Sequence, residues 1–192
     1  MTANVPWRPT RADIEAAEGK TVPDVISPGL DVLFVGINPG LYSGAVGHHF
    51  ARPGNRFWKT LHGAGFTPRV MSPFDERELL DHRVGITNLV RRATARADQL
   101  AAEELRAGAG RVSGKLRRLA PRVVAFLGVT AYRTAFGIPG AMVGPQAGRI
   151  GPSAVWVLPN PSGLNAHYQL PALIEEFGAL KEAASGPTRP TG

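Results

Sequence analysis

Two short loops contain the residue types that best fit a reaction site. The first, the Asn38 loop, reads Gly36-Ile37-Asn38-Pro39-Gly40, and the second, the Leu164 loop, reads Pro159-Asn160-Pro161-Ser162-Gly163-Leu164. The amide of Asn38 can accept a hydrogen bond from water through its oxygen and can hold a carbonyl group through its NH2. An Asn-Pro pair also commonly starts an Asx turn, in which the amide serves the backbone instead. From these residues alone, both the chemical and the structural interpretation stay open.

The segments that precede these loops are typical of buried strands. Short apolar runs predict strands at Val32–Val35, Gly85–Leu89, Val123–Leu127 and Val155–Leu158. Runs that are apolar on both faces favour a parallel sheet covered by helices. Periodic patterns predict those helices at Asn55–Gly63, Leu100–Leu119, Val129–Phe136 and Pro171–Lys181. The sequence therefore predicts an α/β fold whose two loops lie at the carboxyl edge of the sheet, where such folds bind ligands.

Length and composition predict one compact domain. For the 192 residues we expect a domain at 25–184, a partly helical or disordered arm at 1–24 and a disordered tail at 185–192. Cysteine is absent, and no apolar run is long enough to span a bilayer. With no signal-like N-terminus, these features predict a cytoplasmic protein that does not enter a membrane.

The charge balance is strongly basic. The formal net charge is +7 and the sequence pI is about 10.5, with the arginines densest between residues 52 and 149. Such an excess suits a polyanionic partner such as nucleic acid. An arginine-rich surface with no such partner explains the charge equally well, so the charge alone does not select a function.

Several familiar catalytic motifs are absent from the sequence. It contains no GxxxxGK[ST] loop, no GxGxxG after the first strand, no HExxH and no GxSxG. The adjacent pair His48-His49 lacks the spacing to acidic residues that zinc sites show. Neither the Asn38 loop nor the Leu164 loop contains a lysine that could form a Schiff base, which argues against a lyase.

Taken in order, several segments resemble the mismatch-specific uracil and thymine DNA glycosylases. The Asn38 loop with Leu41 resembles the first catalytic motif of that family, and Asn160–Leu164 resembles the second. The remaining matches are to its base-pocket loop, the helix after it and one further stretch, at Gly47–Phe50, Pro53–Lys59 and Gly85–Val90. The resemblance extends over roughly Ile26–Leu180. It implies a three-layer αβα sandwich with a central, mainly parallel four-stranded sheet, acting as a monomer without cofactor or metal.

The function that the resemblance implies is excision of uracil from G·U mismatches in double-stranded DNA, which initiates base excision repair. Related damaged pyrimidines such as ethenocytosine are implied as further substrates. The target nucleotide must be flipped out before its glycosidic bond can be reached. Asn38 is then the catalytic residue, which orients a water towards an oxocarbenium-like centre. Uracil leaves readily as an anion, and backbone amides near Gly40 can hold the developing charge.

The other site residues that the resemblance implies form two groups. Phe50 is the stacking platform for the base, and its companions in base binding are Ile37, Gly40, Tyr42, Ser43 and Asn160. Leu164 is the wedge that enters the base stack, and its companions in DNA binding are Ser162, Gly163, Asn165, Arg56 and Lys59. Ser43 lies where the C5 methyl of thymine would be, which predicts a preference for uracil. The sequence departs from the family at Asn165-Ala166, where a serine and an arginine are common.

Two alternative functions stay open at this point. One is a thymine-preferring G·T mismatch glycosylase. The other is a non-catalytic DNA-binding module that recognises lesions, against which Asn38 argues because a binder has no need of a residue that positions water.

Overall fold

The centre of the fold is a mixed sheet. The structure is a computed structural model that describes residues 7–186, and within that range the sheet has five strands in the order β2-β1-β3-β5-β4. The strands are β1 Val32–Gly36, β2 Val84–Asn88, β3 Val123–Leu127, β4 Gly144–Ile150 and β5 Ser153–Leu158. The pairs β1/β2, β1/β3 and β3/β5 are parallel, whereas β4 runs antiparallel to β5. The carboxyl ends of β1, β2, β3 and β5 therefore share one edge.

Helices cover both faces of the sheet. In chain order they are α1 Arg11–Glu15, α2 Leu41–Val46, α3 Phe57–Gly63, α4 Ala102–Leu119, α5 Val129–Phe136 and α6 Leu170–Ala184. One face carries Phe34 of β1 against α3 and α6, where Phe57 and Phe177 are fully buried. The other face carries Phe126 of β3 against α4 and α5. This three-layer arrangement confirms the predicted αβα fold, with five strands in place of four.

The strands and helices differ in how clearly the sequence marks them. All four predicted strands are present. Strands β1, β2 and β3 are buried along their whole length, and β5 is buried except at Ala154 and Trp156, which are partly buried. The edge strand β4 was missed, since most of its residues are at least partly exposed and it contains no apolar run. The short helix α2 was also missed, and α6 extends beyond the predicted Pro171–Lys181 at both ends.

The segment before β1 packs onto the domain within the described residues. Thr10 caps α1 by accepting a hydrogen bond from the backbone of Asp13, and Ala17 is fully buried. Further along, the backbone of Val25 pairs with that of Ile86. The first six residues of the predicted arm, and the predicted tail from residue 187 onwards, lie outside the described residues. Within 7–186, no helix is both long and apolar enough to cross a membrane.

Candidate active site

A cavity of about 150 Å³ lies at the carboxyl edge of the sheet, between the Asn38 loop and the Leu164 loop. The sheet directions explain this meeting, because β1 and β5 run parallel and each loop follows the end of its strand. Eight of the residues implied by the family resemblance line the cavity: Ile37, Asn38, Gly40, Ser43, Phe50, Asn160, Ser162 and Leu164. The predicted shared cleft is therefore present in the structure.

The backbone of the Asn38 loop is held by the segment that follows β2. Leu89 and Val90 donate backbone hydrogen bonds to the carbonyls of Gly36 and Ile37, at 2.9 and 2.8 Å. The backbone N–H of Thr94 then donates to the carbonyl of Pro39 at 3.1 Å. The two chains thus continue side by side beyond the ends of the strands, which places the side chain of Thr94 next to that of Asn38.

The amide of Asn38 has a defined orientation. Its Nδ2 donates to the carbonyl oxygen of Arg92 at 3.0 Å, to Oγ1 of Thr94 at 2.7 Å and to the carbonyl of Pro39 at 3.1 Å. The hydroxyl of Thr94 donates its own proton to the carbonyl of Arg96 at 2.8 Å, so towards Asn38 it can only accept. Within residues 7–186 no donor contacts Oδ1 of Asn38, which leaves this oxygen to accept a hydrogen bond from water.

The hydrogen bonds bear on the two roles considered for Asn38. The NH2 group donates to protein acceptors, and its predicted contact with a substrate carbonyl stays a prediction. An Asx turn is absent at Asn38 but present at Asn160, whose Oδ1 accepts from the backbone N–H of Ser162 at 3.0 Å. Asn160 lines the cavity, yet its amide oxygen serves the turn of the Leu164 loop.

A bidentate ion pair holds the segment that carries Thr94. Arg92 donates from Nε and Nη2 to the two carboxylate oxygens of Glu104, at 2.6 and 2.8 Å. Glu104 lies in the first turn of α4 and also accepts from the backbone N–H of Ala101. The hydrogen bond from Arg92, together with that from Ala101, lowers the pKa of Glu104 to about 2. The carboxylate is therefore ionised at any pH near neutrality, and the clamp on Arg92 persists.

Phe50 forms one wall of the cavity. Its backbone adopts the left-handed conformation with φ of 52°, and its ring stacks on Phe57 with centroids 4.0 Å apart. The backbone N–H of the next residue, Ala51, donates to Oγ of Ser43 at 3.1 Å. At Gly36, a Cβ would lie 3.3 Å from the ring of Phe50 and 2.4 Å from Oδ1 of Asn88, so only glycine fits between them.

Asn88 and His49 also line the cavity. Both lie in segments that resemble the family, but neither residue was predicted to have a role in the site. Both are buried, and Nδ2 of Asn88 lies 3.3 Å from Nδ1 of His49, while Nε2 of His49 lies 2.9 Å from the carbonyl of Pro23. Burial lowers the pKa of His49, so the ring is neutral, donates from Nε2 and accepts at Nδ1. Asn88 ends β2 at the carboxyl edge, and the rule that selected the two loops would have found it.

Arg56 organises the Leu164 loop. Its Nη2 donates to the carbonyls of Ser162 and Asn165 at 2.5 and 2.8 Å, and its Nη1 donates to the carbonyl of Tyr168 at 2.7 Å. The backbone N–H of Arg56 also donates to Pro161. These hydrogen bonds within the protein engage the guanidinium of Arg56, and its predicted contact with DNA stays a prediction.

The tip of the Leu164 loop projects into solvent. The side chain of Leu164 is 69% exposed, although the loop beneath it is hydrogen-bonded. Nδ2 of Asn165 donates to the carbonyl of Asn160 at 3.0 Å, which closes the loop. At Gly163, a Cβ would lie 2.7 Å from the carbonyl oxygen of Gly54, so this glycine permits close backbone packing. An exposed leucine on a braced loop has the properties expected of a wedge.

Five predicted site residues do not line the cavity, namely Tyr42, Arg56, Lys59, Gly163 and Asn165. Two arginines that were not predicted lie on its rim. Tyr42 lines a neighbouring depression, and Lys59 is an exposed residue of α3 that does not line the cavity. Arg52 and Arg96 both line the cavity and are exposed. In the described part of the chain, no group of three or more histidine or acidic side chains is arranged to hold a metal ion.

Comparison with known proteins agrees with this geometry. The family model of the uracil DNA glycosylase superfamily matches residues 23–182, a range that contains the whole cavity. The fold is similar to the solution NMR structure of a proposed uracil DNA glycosylase from Methanosarcina acetivorans. The TM-score is 0.59 at 22% sequence identity, and the match covers 85% of this chain and 98% of the other.

Proposed function

The chain belongs to the uracil DNA glycosylase superfamily, and on this premise we propose that it excises uracil opposite guanine from double-stranded DNA. The reaction is hydrolysis of the N-glycosidic bond, which leaves an abasic site and starts base excision repair. The observation that carries the proposal is the free Oδ1 of Asn38 in a cavity that also contains an aromatic wall.

The cavity offers a flipped base both stacking and hydrogen bonds. Phe50 is held from behind by Phe57, and stacking of a base on an aromatic ring is worth about 1–3 kcal/mol. The amide of Asn88 lies in the same cavity, where it can bond to the polar edge of a pyrimidine. Unstacking a base costs a few kcal/mol, so these contacts offset much of that cost.

The chemistry assigned to Asn38 needs no general base. Its Oδ1 accepts a hydrogen bond from a water and directs an oxygen lone pair of that water at the sugar carbon. The glycosidic bond lengthens first, and uracil departs with the bonding electron pair as an anion. The water adds to the oxocarbenium-like centre and then loses its proton to solvent. Because the amide is held by Arg92 and Thr94, its oxygen stays aimed while the bond breaks.

The Leu164 loop supports the preference for double-stranded substrate. The exposed Leu164 can fill the gap that the flipped nucleotide leaves, and Arg56 keeps the loop from folding away. The backbone of the same loop would then lie near the orphaned guanine. We assign discrimination against thymine to Ser43, which is buried and lines the cavity.

A panel of labelled duplexes tests the proposal. Each duplex carries one U·G, U·A, T·G, C·G or ethenocytosine·G pair and is treated with alkali after incubation. We expect strand breaks only after alkali, fastest with U·G, which identifies a glycosylase without lyase activity. Asn38→Ala should excise at least about 100-fold more slowly, because the water loses its orientation, while its affinity for the U·G duplex is retained.

Two outcomes of the panel would overturn the proposal. Absence of alkali-sensitive sites in every duplex, with binding intact, would favour the non-catalytic module. A T·G rate that exceeds the U·G rate would favour the thymine-preferring enzyme. Wild-type activity in Asn38→Ala would remove the assignment of the catalytic residue.

A further inference from the structure

A second depression adjoins the cavity and has no part in the function proposed above. It encloses about 300 Å³ and is lined by Ile14, Gly40, Leu41, Tyr42, Arg52 and Ala95. Gly40 and Arg52 line both spaces, so the depression and the cavity share a rim. We name this depression the Tyr42 subsite.

Arg52 is available to a ligand. It is exposed, and within residues 7–186 no acceptor contacts its guanidinium. The other rim arginine, Arg96, forms an ion pair with Asp98. The guanidinium of Arg56, which follows four positions later, is engaged by loop carbonyls. Of these three arginines close to the cavity, Arg52 therefore retains its full capacity to bind an anion.

The covalent structure of DNA supplies that anion. A base inside the cavity stays attached to its deoxyribose, which carries one phosphate on its 5′ side and one on its 3′ side. At least one of these phosphates has to cross the rim of the cavity when the base enters. An arginine on the rim that lacks an acidic partner is positioned to meet it.

The rest of the Tyr42 subsite suits the nucleotide beyond that phosphate. Tyr42, in the first turn of α2, supplies an aromatic surface, and the half-buried Ile14 of α1 supplies an apolar wall. An aromatic ring next to a cation is the usual combination for holding a base and its backbone in single-stranded nucleic acid. Gly40 and Ala95 leave the space beside the ring open because their side chains are small.

We propose that the Tyr42 subsite binds the nucleotide adjacent to the flipped uracil in the same strand, with Arg52 on the intervening phosphate and Tyr42 against the sugar and base. The proposal rests on the function proposed above. It assigns to Tyr42 a contact outside the base cavity, and it gives the phosphate contact to Arg52 in place of Arg56 and Lys59.

Chemical replacement of single phosphates tests the role of Arg52. U·G duplexes carry a neutral methylphosphonate 5′ or 3′ to the uridine, and affinity and single-turnover excision are measured for wild type, Arg52→Gln and Arg118→Gln. Arg118 is an exposed arginine in the last turn of α4 and serves as the matched loss of charge. We expect one of the two replacements to weaken wild-type binding by at least about 10-fold. The same replacement should cause no further loss of affinity in Arg52→Gln, whereas Arg118→Gln should lose as much affinity as wild type does.

The role of Tyr42 has a parallel test. Replacing the base of the neighbouring nucleotide by an abasic analogue should weaken wild-type binding roughly 5- to 150-fold, the range for loss of one stacked base. Tyr42→Ala should be insensitive to this replacement, and Tyr42→Phe should behave as wild type. The subsite would be overturned if the two losses of affinity were additive. In that case Arg52→Gln and Tyr42→Ala would lose as much affinity on modifying the DNA as wild type does. Failure of wild type to excise uracil from the unmodified duplex would instead overturn the proposed function.

Discussion

Removing the hydroxyl of Thr94 should slow uracil excision without weakening DNA binding. In Thr94→Val, Nδ2 of Asn38 loses its shortest hydrogen bond, at 2.7 Å, and keeps those to Arg92 and Pro39. All three partners can only accept from Asn38, because two are carbonyls and the hydroxyl proton of Thr94 is committed to the carbonyl of Arg96. Without the hydroxyl, two acceptors hold the NH2 group in place of three, so the amide is held less firmly and its oxygen is aimed at the water less accurately.

The size of the effect follows from the contact that is lost. The hydrogen bond to the hydroxyl contributes about 0.5–1.5 kcal/mol net, because Nδ2 keeps two other acceptors and is not left unsatisfied. If that free energy is lost in the transition state, the excision rate falls roughly 2- to 12-fold. Thr94→Ser keeps the hydroxyl and should excise at close to the wild-type rate. Because Thr94 is buried, the free energy of unfolding of each variant is measured alongside.

The assay is single-turnover excision from a labelled U·G duplex with enzyme in excess, at a concentration well above Kd. Anisotropy with a duplex that resists cleavage gives Kd separately. A slow valine variant, a fast serine variant and a constant Kd would support the role of the hydroxyl. Equal rates for wild type and Thr94→Val would refute it. Equal slowing in both variants would show that packing of the threonine methyl is responsible rather than its hydroxyl.

Three further predictions concern the exposed Leu164, the discrimination against thymine by Ser43 and the buried His49. Leu164→Ala should slow excision from a U·G duplex more than from single-stranded DNA, because only the duplex requires unstacking; equal slowing would indicate a structural role. Ser43→Ala should raise the ratio of the T·G excision rate to the U·G excision rate, since exclusion of one methyl is worth about 10- to 200-fold in rate. Loss of the hydrogen bond from Ala51 should also lower the U·G rate. An unchanged ratio would contradict the assignment of Ser43. Because burial lowers the pKa of His49, the unfolded chain takes up the proton first as the pH drops below 6.5. The free energy of unfolding should therefore decrease from pH 7.5 to pH 5.5, and it should decrease less in His49→Gln. Denaturant titrations at both pH values measure the two free energies. An identical pH dependence in wild type and variant would argue against a role for His49.

The placement of the two loops could be predicted from sequence because it depends on local pattern. Strands buried on both faces read as apolar runs, and the direction rule for parallel sheets brings their carboxyl ends together. The role of Arg56 could not be predicted in this way. Its partners lie more than 100 positions later in the chain, and an arginine on a helix looks the same whether it faces solvent or a loop of carbonyls.

Among the polar residues of the site, too, some could be predicted from the sequence and others could not. Asn88 lies one residue before the end of the predicted strand Gly85–Leu89 and could be found from the strand pattern, whereas Thr94 lies in an irregular segment that has no periodic pattern. The contact of Thr94 with Asn38 joins residues 56 positions apart, and it arises only because that segment continues beside the Asn38 loop. The edge strand β4 escaped prediction for a different reason, since exposed strands need no apolar pattern.

The hydrogen bonds of Arg56 join the two working parts of the site into one rigid piece. Arg56 holds the Leu164 loop, and the next residue, Phe57, supports the ring of Phe50. The distance between the side chain of Leu164 and the ring of Phe50 is therefore set by the folded protein before DNA binds. The entropy of ordering this loop is lost during folding and not during binding. The duplex must then adapt its backbone to a fixed span, so sequences and lesions that deform easily should be engaged first.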